Sequence, residues 1–229
     1  MAFFQHNIEK SIGRANYPVV QDLIDVYQNK QAAYQRNADN QEGWSNYDEL
    51  FLMVATALDS QLTQSPQRQQ NLEIVQERLK SFKQFSDNDY IALKLLLHFM
   101  SLKDAEAVVK KPLKLLTDLK EPGLSENLYY VCSILYIKHL AAKQSKQTEH
   151  YYKIIDEIQL DSVDLGWKLS RQFIQNIHLY FTGDKNRAVD QINKLSIFYN
   201  DLNLAYQSRY VAQTCRDLST PHQEVDVTL

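Results

Sequence analysis

The residues of this chain that could do chemistry are numerous but dispersed. Six histidines, His6, His98, His139, His150, His178 and His222, fall in separate segments. A metal centre needs ligands converging from fixed spacings, such as His-Glu-x-x-His or Cys-x-x-Cys, and neither pattern occurs. Carboxylates are paired at Asp48-Glu49 and Asp156-Glu157, but neighbours on a helix point about 100° apart, so neither pair converges for acid–base work. No glycine-rich phosphate loop and no Gly-x-Ser-x-Gly elbow is present. Cys132 and Cys215 lie among apolar neighbours in predicted helices and read as buried, inert thiols, since a disulfide requires a secreted context. His98, inside the apolar run Leu95 to Met100, reads as a core histidine with its hydrogen bonds satisfied. The expectation is a non-enzyme with no catalytic residue, no metal site and no cofactor.

Binding chemistry is better represented. Arg171, Gln175 and His178 recur at i, i+4 and i+7 and share one helical stripe. The preceding helix pair carries Tyr136 and Lys138, and the last helix Tyr206, Arg209 and Tyr210. Arg and amide side chains can satisfy the backbone of an extended peptide while neighbouring aliphatics take its side chains. These eight residues are the candidate peptide-binding set.

The elements that must position them are helices. The chain has 229 residues, of which 44% are hydrophobic and 23% charged, and it contains only five Gly and five Pro. Sheet proteins with many tight turns need more of both, so the composition points to an all-α fold. Apolar spacing and caps predict helices over Ser45 to Thr63, from Ser65-Pro66 to about Phe85, and from a Ser86 cap through Tyr90 to Met100. The next, Asp104 to Lys120, contains Pro112 and is expected to kink or restart there. Glu121-Pro122-Gly123 is the clearest break. Beyond it come helices at about Ser125 to Lys143, Thr148 to Gln159, Ser162 to Thr182, Asn186 to Tyr199 and Leu202 to Leu218.

An aromatic stands near the start of each first helix, at Tyr47, Tyr90, Tyr130, Trp167 and Tyr206. The intervals of about 37 to 43 residues suit two-helix repeats. The expected fold is a right-handed α-solenoid of about five tetratricopeptide-like helix pairs. Residues 1–43 would be loosely attached N-terminal helices, 44–218 the repeat domain that holds the ligand or partner, and 219–229 a flexible tail. The sharpest local signal is Gly183-Asp184 followed by Ala188. It looks like a tetratricopeptide turn in which Gly ends one helix in a left-handed conformation and Ala lets the next pack closely. Gln172 and Gln175 stand where that consensus expects an aromatic and an aliphatic.

Net charge is −3, spread without a block of like charges, so no direct nucleic-acid contact is expected. The start, Met1 to His6, lacks the features of a signal peptide, and no apolar run approaches the roughly 20 residues of a membrane span. A cytoplasmic protein without membrane contact is expected.

Helix pairs of about 40 residues, rich in Tyr, Phe, Asn, Gln and Lys and poor in Gly and Pro, resemble the C-terminal regulatory domain of Rgg-type transcriptional regulators, members of the wider group of peptide-pheromone receptors. The resemblance runs from about Tyr17 to Leu218. It implies a repeat domain that binds a short peptide on its concave face in quorum sensing and a homodimer formed through the C-terminal helices, with the exposed stripe Leu204, Val211 and Cys215 a candidate interface. In that family a helix-turn-helix domain precedes the repeats. None precedes them here, which suits either an excised regulatory domain or a stand-alone relative. The leading expectation is a peptide-sensing regulatory domain of a bacterial transcriptional regulator; the alternative is a tetratricopeptide-like scaffold for a protein partner.

Overall fold

A computed structural model describes residues 18–36, 45–82, 85–119, 125–158, 165–202 and 205–219. Among these the secondary structure is entirely helical: α1 (Pro18–Arg36), α2 (Asn46–Leu62), α3 (Arg68–Ser81), α4 (Asp87–Leu97), α5 (Leu102–Leu119), α6 (Ser125–Ala141), α7 (Ser145–Glu157), α8 (Leu165–Thr182), α9 (Lys185–Asp201) and α10 (Ala205–Ser219). The chain divides into two compact units, Met1–Pro112 and Leu113–Leu229.

In the first unit the starts of α2 and α4 follow from sequence alone. Ser45 and Ser86 each accept a hydrogen bond from the amide three residues on, and the carboxylates of Asp48 and Asp89 each accept one from the cap amide. These are capping boxes. Asp48 also meets Lys30 of α1 at 2.8 Å. Beside that ion pair α1 buries Val20, Leu23 and Ile24, and Tyr27 packs against Phe51 of α2.

Ser65-Pro66 does not open α3, whose N-cap is Gln67. The Ser65 amide instead bonds back to the Ser60 carbonyl, and Gln64, at φ 52°, bonds to Gln61. This 6→1 and 5→2 pair is a Schellman closure of α2. The same closure ends α6, where Gln144 bonds to His139, Lys143 bonds to Leu140, and Lys143 has φ 57°. In a chain so short of glycine, two ordinary side chains occupy the left-handed position that glycine fills without steric cost. Gln64→Gly and Lys143→Gly should each stabilise the protein by about 0.5–1 kcal/mol, read as a higher urea midpoint; an unchanged or lower midpoint in both would contradict this.

Pro112 does not restart its helix, since α5 runs continuously through it. Proline removes one backbone donor. Its carbonyl accepts a hydrogen bond from the buried Tyr90 hydroxyl at 3.2 Å, and this ties α5 to α4 at the residue that ends the first unit.

In the second unit α6 packs on α7, α8 on α9 and α9 on α10, and α10 also reaches α6. An open solenoid places each repeat only against its nearest neighbours. The α10–α6 contact skips one pair, which an open solenoid would not make. Helix α6 is its axis, with every residue from Val131 to His139 buried. Trp167 of α8 wedges against Tyr129 and Tyr130 of α6, with ring centroids 4.9 and 4.5 Å apart. Two of the repeat aromatics, Tyr130 and Trp167, therefore touch each other. Tyr90 is buried, whereas Tyr47 is exposed, so the five aromatics are not equivalent.

The turn between α8 and α9 departs from expectation in one respect. Gly183 does not take a left-handed conformation. A Cβ there would stand 3.0 Å from Leu179 Cδ1, a tight approach to the tip of that side chain. Asp184 caps α9 by accepting the Arg187 amide, and Ala188 is fully buried.

Candidate functional site

The stripe on α8 divides into two roles. Arg171 donates from Nη2 to the Asp156 carbonyl at 2.7 Å and from Nη1 to the Ile158 carbonyl at 3.2 Å, with the Asp156 carboxylate 3.7 Å away. These carbonyls end α7, where backbone acceptors lack helical partners and a cation opposes the negative end of the helix dipole. Arg171 thus clamps α7 to α8. Gln175, one turn on, is exposed.

His178 stacks on Tyr152 of α7, with rings 3.5 Å apart and 6° from parallel, and its Nδ1 lies 3.3 Å from the hydroxyl of Tyr136 on α6. Tyr136 is fully buried. Burial, reinforced by Tyr152 and Glu149, pushes its phenol well above the ordinary range. The phenol therefore stays neutral and shares one hydrogen bond with the imidazole, as donor or acceptor according to the histidine tautomer. Burial lowers the His178 pKa from its ordinary value, against the opposing pull of Glu149 and Asp156. A histidine whose folded pKa is depressed contributes stability that is complete above its unfolded value of about 6.5 and is lost as pH falls from there through the folded value. The groups facing it are Tyr136 from α6 and Tyr152, Glu149 and Asp156 from α7, with Arg171 on its own helix. Replacing His178 with glutamine should flatten the decline of unfolding free energy between about pH 7 and pH 5; parallel pH profiles for parent and variant would rule out this linkage.

Of the other expected residues, Lys138 is buried at 7% exposure. Tyr210 lies edge-on to Phe173 at 6.1 Å, and burial raises its phenol pKa. The side chains of Tyr206 and Arg209 lie outside the described residues, as does Leu204. The structure thus brings Tyr136, Arg171 and His178 together around α7, with Tyr210 on the other flank of α8. Val211, expected on an exposed stripe, is buried at 2%.

Among the described residues, an open concavity of the second unit lies elsewhere. A pocket of about 150 Å³ opens between α8, α9 and α10, lined by Ile177, Tyr180, Phe181, Val189, Ile192, Asn193, Cys215 and Leu218. Phe181 and Val189 are 42% and 44% exposed, and Ile197, further along α9, is 61% exposed. Small-molecule sites usually enclose roughly 300–1,000 Å³, so this space suits one anchoring side chain of a longer ligand. Burial, against an opposing effect of Arg216, pushes the Cys215 thiol up to about 11. It lines the wall as a neutral apolar group and not as a nucleophile. Of its lining, spacing arguments had singled out only Cys215, on the last helix, because the site draws its residues from three helices. The signal available in the sequence was the excess of large apolar residues on α9, where Val189, Ile197 and Phe198 fall outside the Ala188, Ile192, Leu195, Tyr199 stripe.

Among the described residues, no group of three or more His, Cys, Asp or Glu could hold a metal ion, and no helix is long and apolar enough to cross a membrane. No family model, curated protein or solved structure matches this chain significantly.

Proposed function

We propose that this chain is a docking module that holds a short peptide or protein segment at the pocket between α8, α9 and α10. The observation that carries this reading is the pocket itself with its exposed apolar lip, Phe181 and Val189. Exposed apolar clusters on a folded surface are more often sites of association than accidents. On this reading the helices form about five tetratricopeptide-like pairs of a right-handed α-solenoid, with α10 returning onto α6. The narrower form of the proposal is a peptide-sensing regulatory domain of an Rgg-like bacterial transcriptional regulator, acting in the cytoplasm as a homodimer whose arrangement shifts when peptide binds. Such a shift requires different affinities in the two states.

Peptide phage display against the immobilised protein and its Val189→Asp variant tests the docking role. Val189 is exposed, so the variant keeps its fold while placing a charge in the pocket mouth. An enriched motif on the parent that the variant loses is the expected result; equal enrichment on both would place binding elsewhere. Native mass spectrometry with the enriched peptide then separates the two forms. A peptide-dependent change in subunit count favours the regulator, and an unchanged monomer favours a scaffold for protein partners.

A further inference from the structure

Helix α9 turns an uncharged stripe to solvent. Asn186, Val189, Asn193, Ile197 and Asn200 follow one another at intervals of three, four, four and three residues, so they share one face, and all five are exposed. Their order is symmetric about Asn193, with a β-branched aliphatic four residues to either side and an asparagine seven residues to either side. Among the described residues, α1, α2 and α3 each show one exposed large apolar side chain, Val26, Tyr47 and Ile74, whereas α9 shows three, Val189, Ile197 and Phe198. Along one flank of the stripe Asp190 pairs with Lys194 at 2.6 Å, so no unbalanced charge borders it there.

We infer that a second copy of this chain packs its α9 antiparallel against this stripe, with the two-fold axis at Asn193. A two-fold interface has to be self-complementary. Antiparallel packing sets Val189 against Ile197 of the partner subunit, Asn186 against Asn200 and Asn193 against its own copy, so apolar meets apolar and amide meets amide. An amide carries donors and an acceptor and can pair with itself, and one central Asn in an apolar helix seam fixes its register. Val189 and Asn193 also line the pocket, so in this register Ile197 of the partner subunit lies at the pocket mouth. Each copy thereby closes the other's pocket, and an incoming peptide competes with a second copy for one edge. This names the surface of the homodimer proposed above and rests on that form of the proposal, not on the docking role. A pair of 17-residue helices gives a contact at the low end of specific interfaces, so the dimer should dissociate at about micromolar concentration.

Sedimentation velocity of the full chain between about 1 and about 200 µM should show a monomer–dimer equilibrium. Ile197→Asp, on the exposed stripe and outside the pocket lining, should weaken it about tenfold or more while retaining helical circular dichroism, because the dimer would bury an unpaired charge. Disulfide formation under mild oxidation, in a Cys215→Ala background, reads the register. Asn193→Cys alone should cross-link into dimers, whereas Asn186→Cys and Asn200→Cys should cross-link only when the two variants are mixed. A monomer over the whole concentration range would overturn this surface and the homodimer with it. A dimer indifferent to Ile197→Asp, no cross-link from Asn193→Cys, or Asn186→Cys cross-linking alone as readily as Asn193→Cys would each overturn the antiparallel α9 contact and leave the homodimer standing. No peptide enters either measurement, so the docking role stands or falls on its own test.

Discussion

Trp167→Ala should destabilise the second unit by about 3–5 kcal/mol, the range for removing a large buried aromatic. Trp167 is 8% exposed and fills the angle between Tyr129 and Tyr130, edge-on to one ring and tilted on the other. Besides the transfer and cavity terms, each aromatic contact adds about 0.5–1.5 kcal/mol in favourable geometry. The Tyr129 hydroxyl also meets Ser170 Oγ at 3.2 Å, one turn along α8, so losing the indole loosens the ground on which a second α6–α8 contact stands. Trp167→Phe keeps part of the ring and should lose markedly less. Urea unfolding followed by circular dichroism measures both variants. A loss below about 1 kcal/mol for the alanine variant would mean that α6 and α8 are held together by other contacts.

Tyr136→Ala should cost a comparable amount, about 3–5 kcal/mol, for two separable reasons. The ring is fully buried at the axis of the unit, where it packs near Tyr152 at 5.8 Å. Its removal leaves a cavity that close-packed helices cannot refill. The hydroxyl is the partner of His178 Nδ1, so truncation also leaves a partly buried ring nitrogen without that partner. Tyr136→Phe isolates the second effect and should lose about 1 kcal/mol. If the phenylalanine variant were as damaging as the alanine one, the hydrogen bond rather than the ring volume would dominate; the cavity argument would then fail.

What the sequence made legible was local. Ser45 with Asp48 and Ser86 with Asp89 announce helix starts because the capping interaction spans only three residues and involves no tertiary partner. The Asp184 cap, which takes the Arg187 amide, is of the same local kind. Ser65-Pro66 misled because it carries the signature of a helix start, while its amide was already needed to close the helix before it. Pro112 was expected to interrupt α5. The helix runs through it, and the Tyr90 hydroxyl, 22 residues away, bonds the Pro112 carbonyl from α4. The Arg171, Gln175, His178 stripe is real as a stripe. Which of its members face solvent depends on where α7 ends and which ring meets His178, and neither is written in the spacing on α8. The pocket residues, Cys215 apart, were passed over for a related reason. Periodicity finds the centre of a buried face, whereas binding surfaces lie along its edges.

The wedge of Trp167 into two tyrosines has a practical corollary. The chain holds two tryptophans, Trp44 and Trp167, one in the span of each compact unit. With Trp44→Phe, emission would come from the α6–α8 contact alone. Light absorbed by Tyr129 and Tyr130 would pass to the indole at a separation of about one ring width. The second unit therefore carries an optical gauge of its own assembly, and opening of that joint becomes visible independently of events in the first unit.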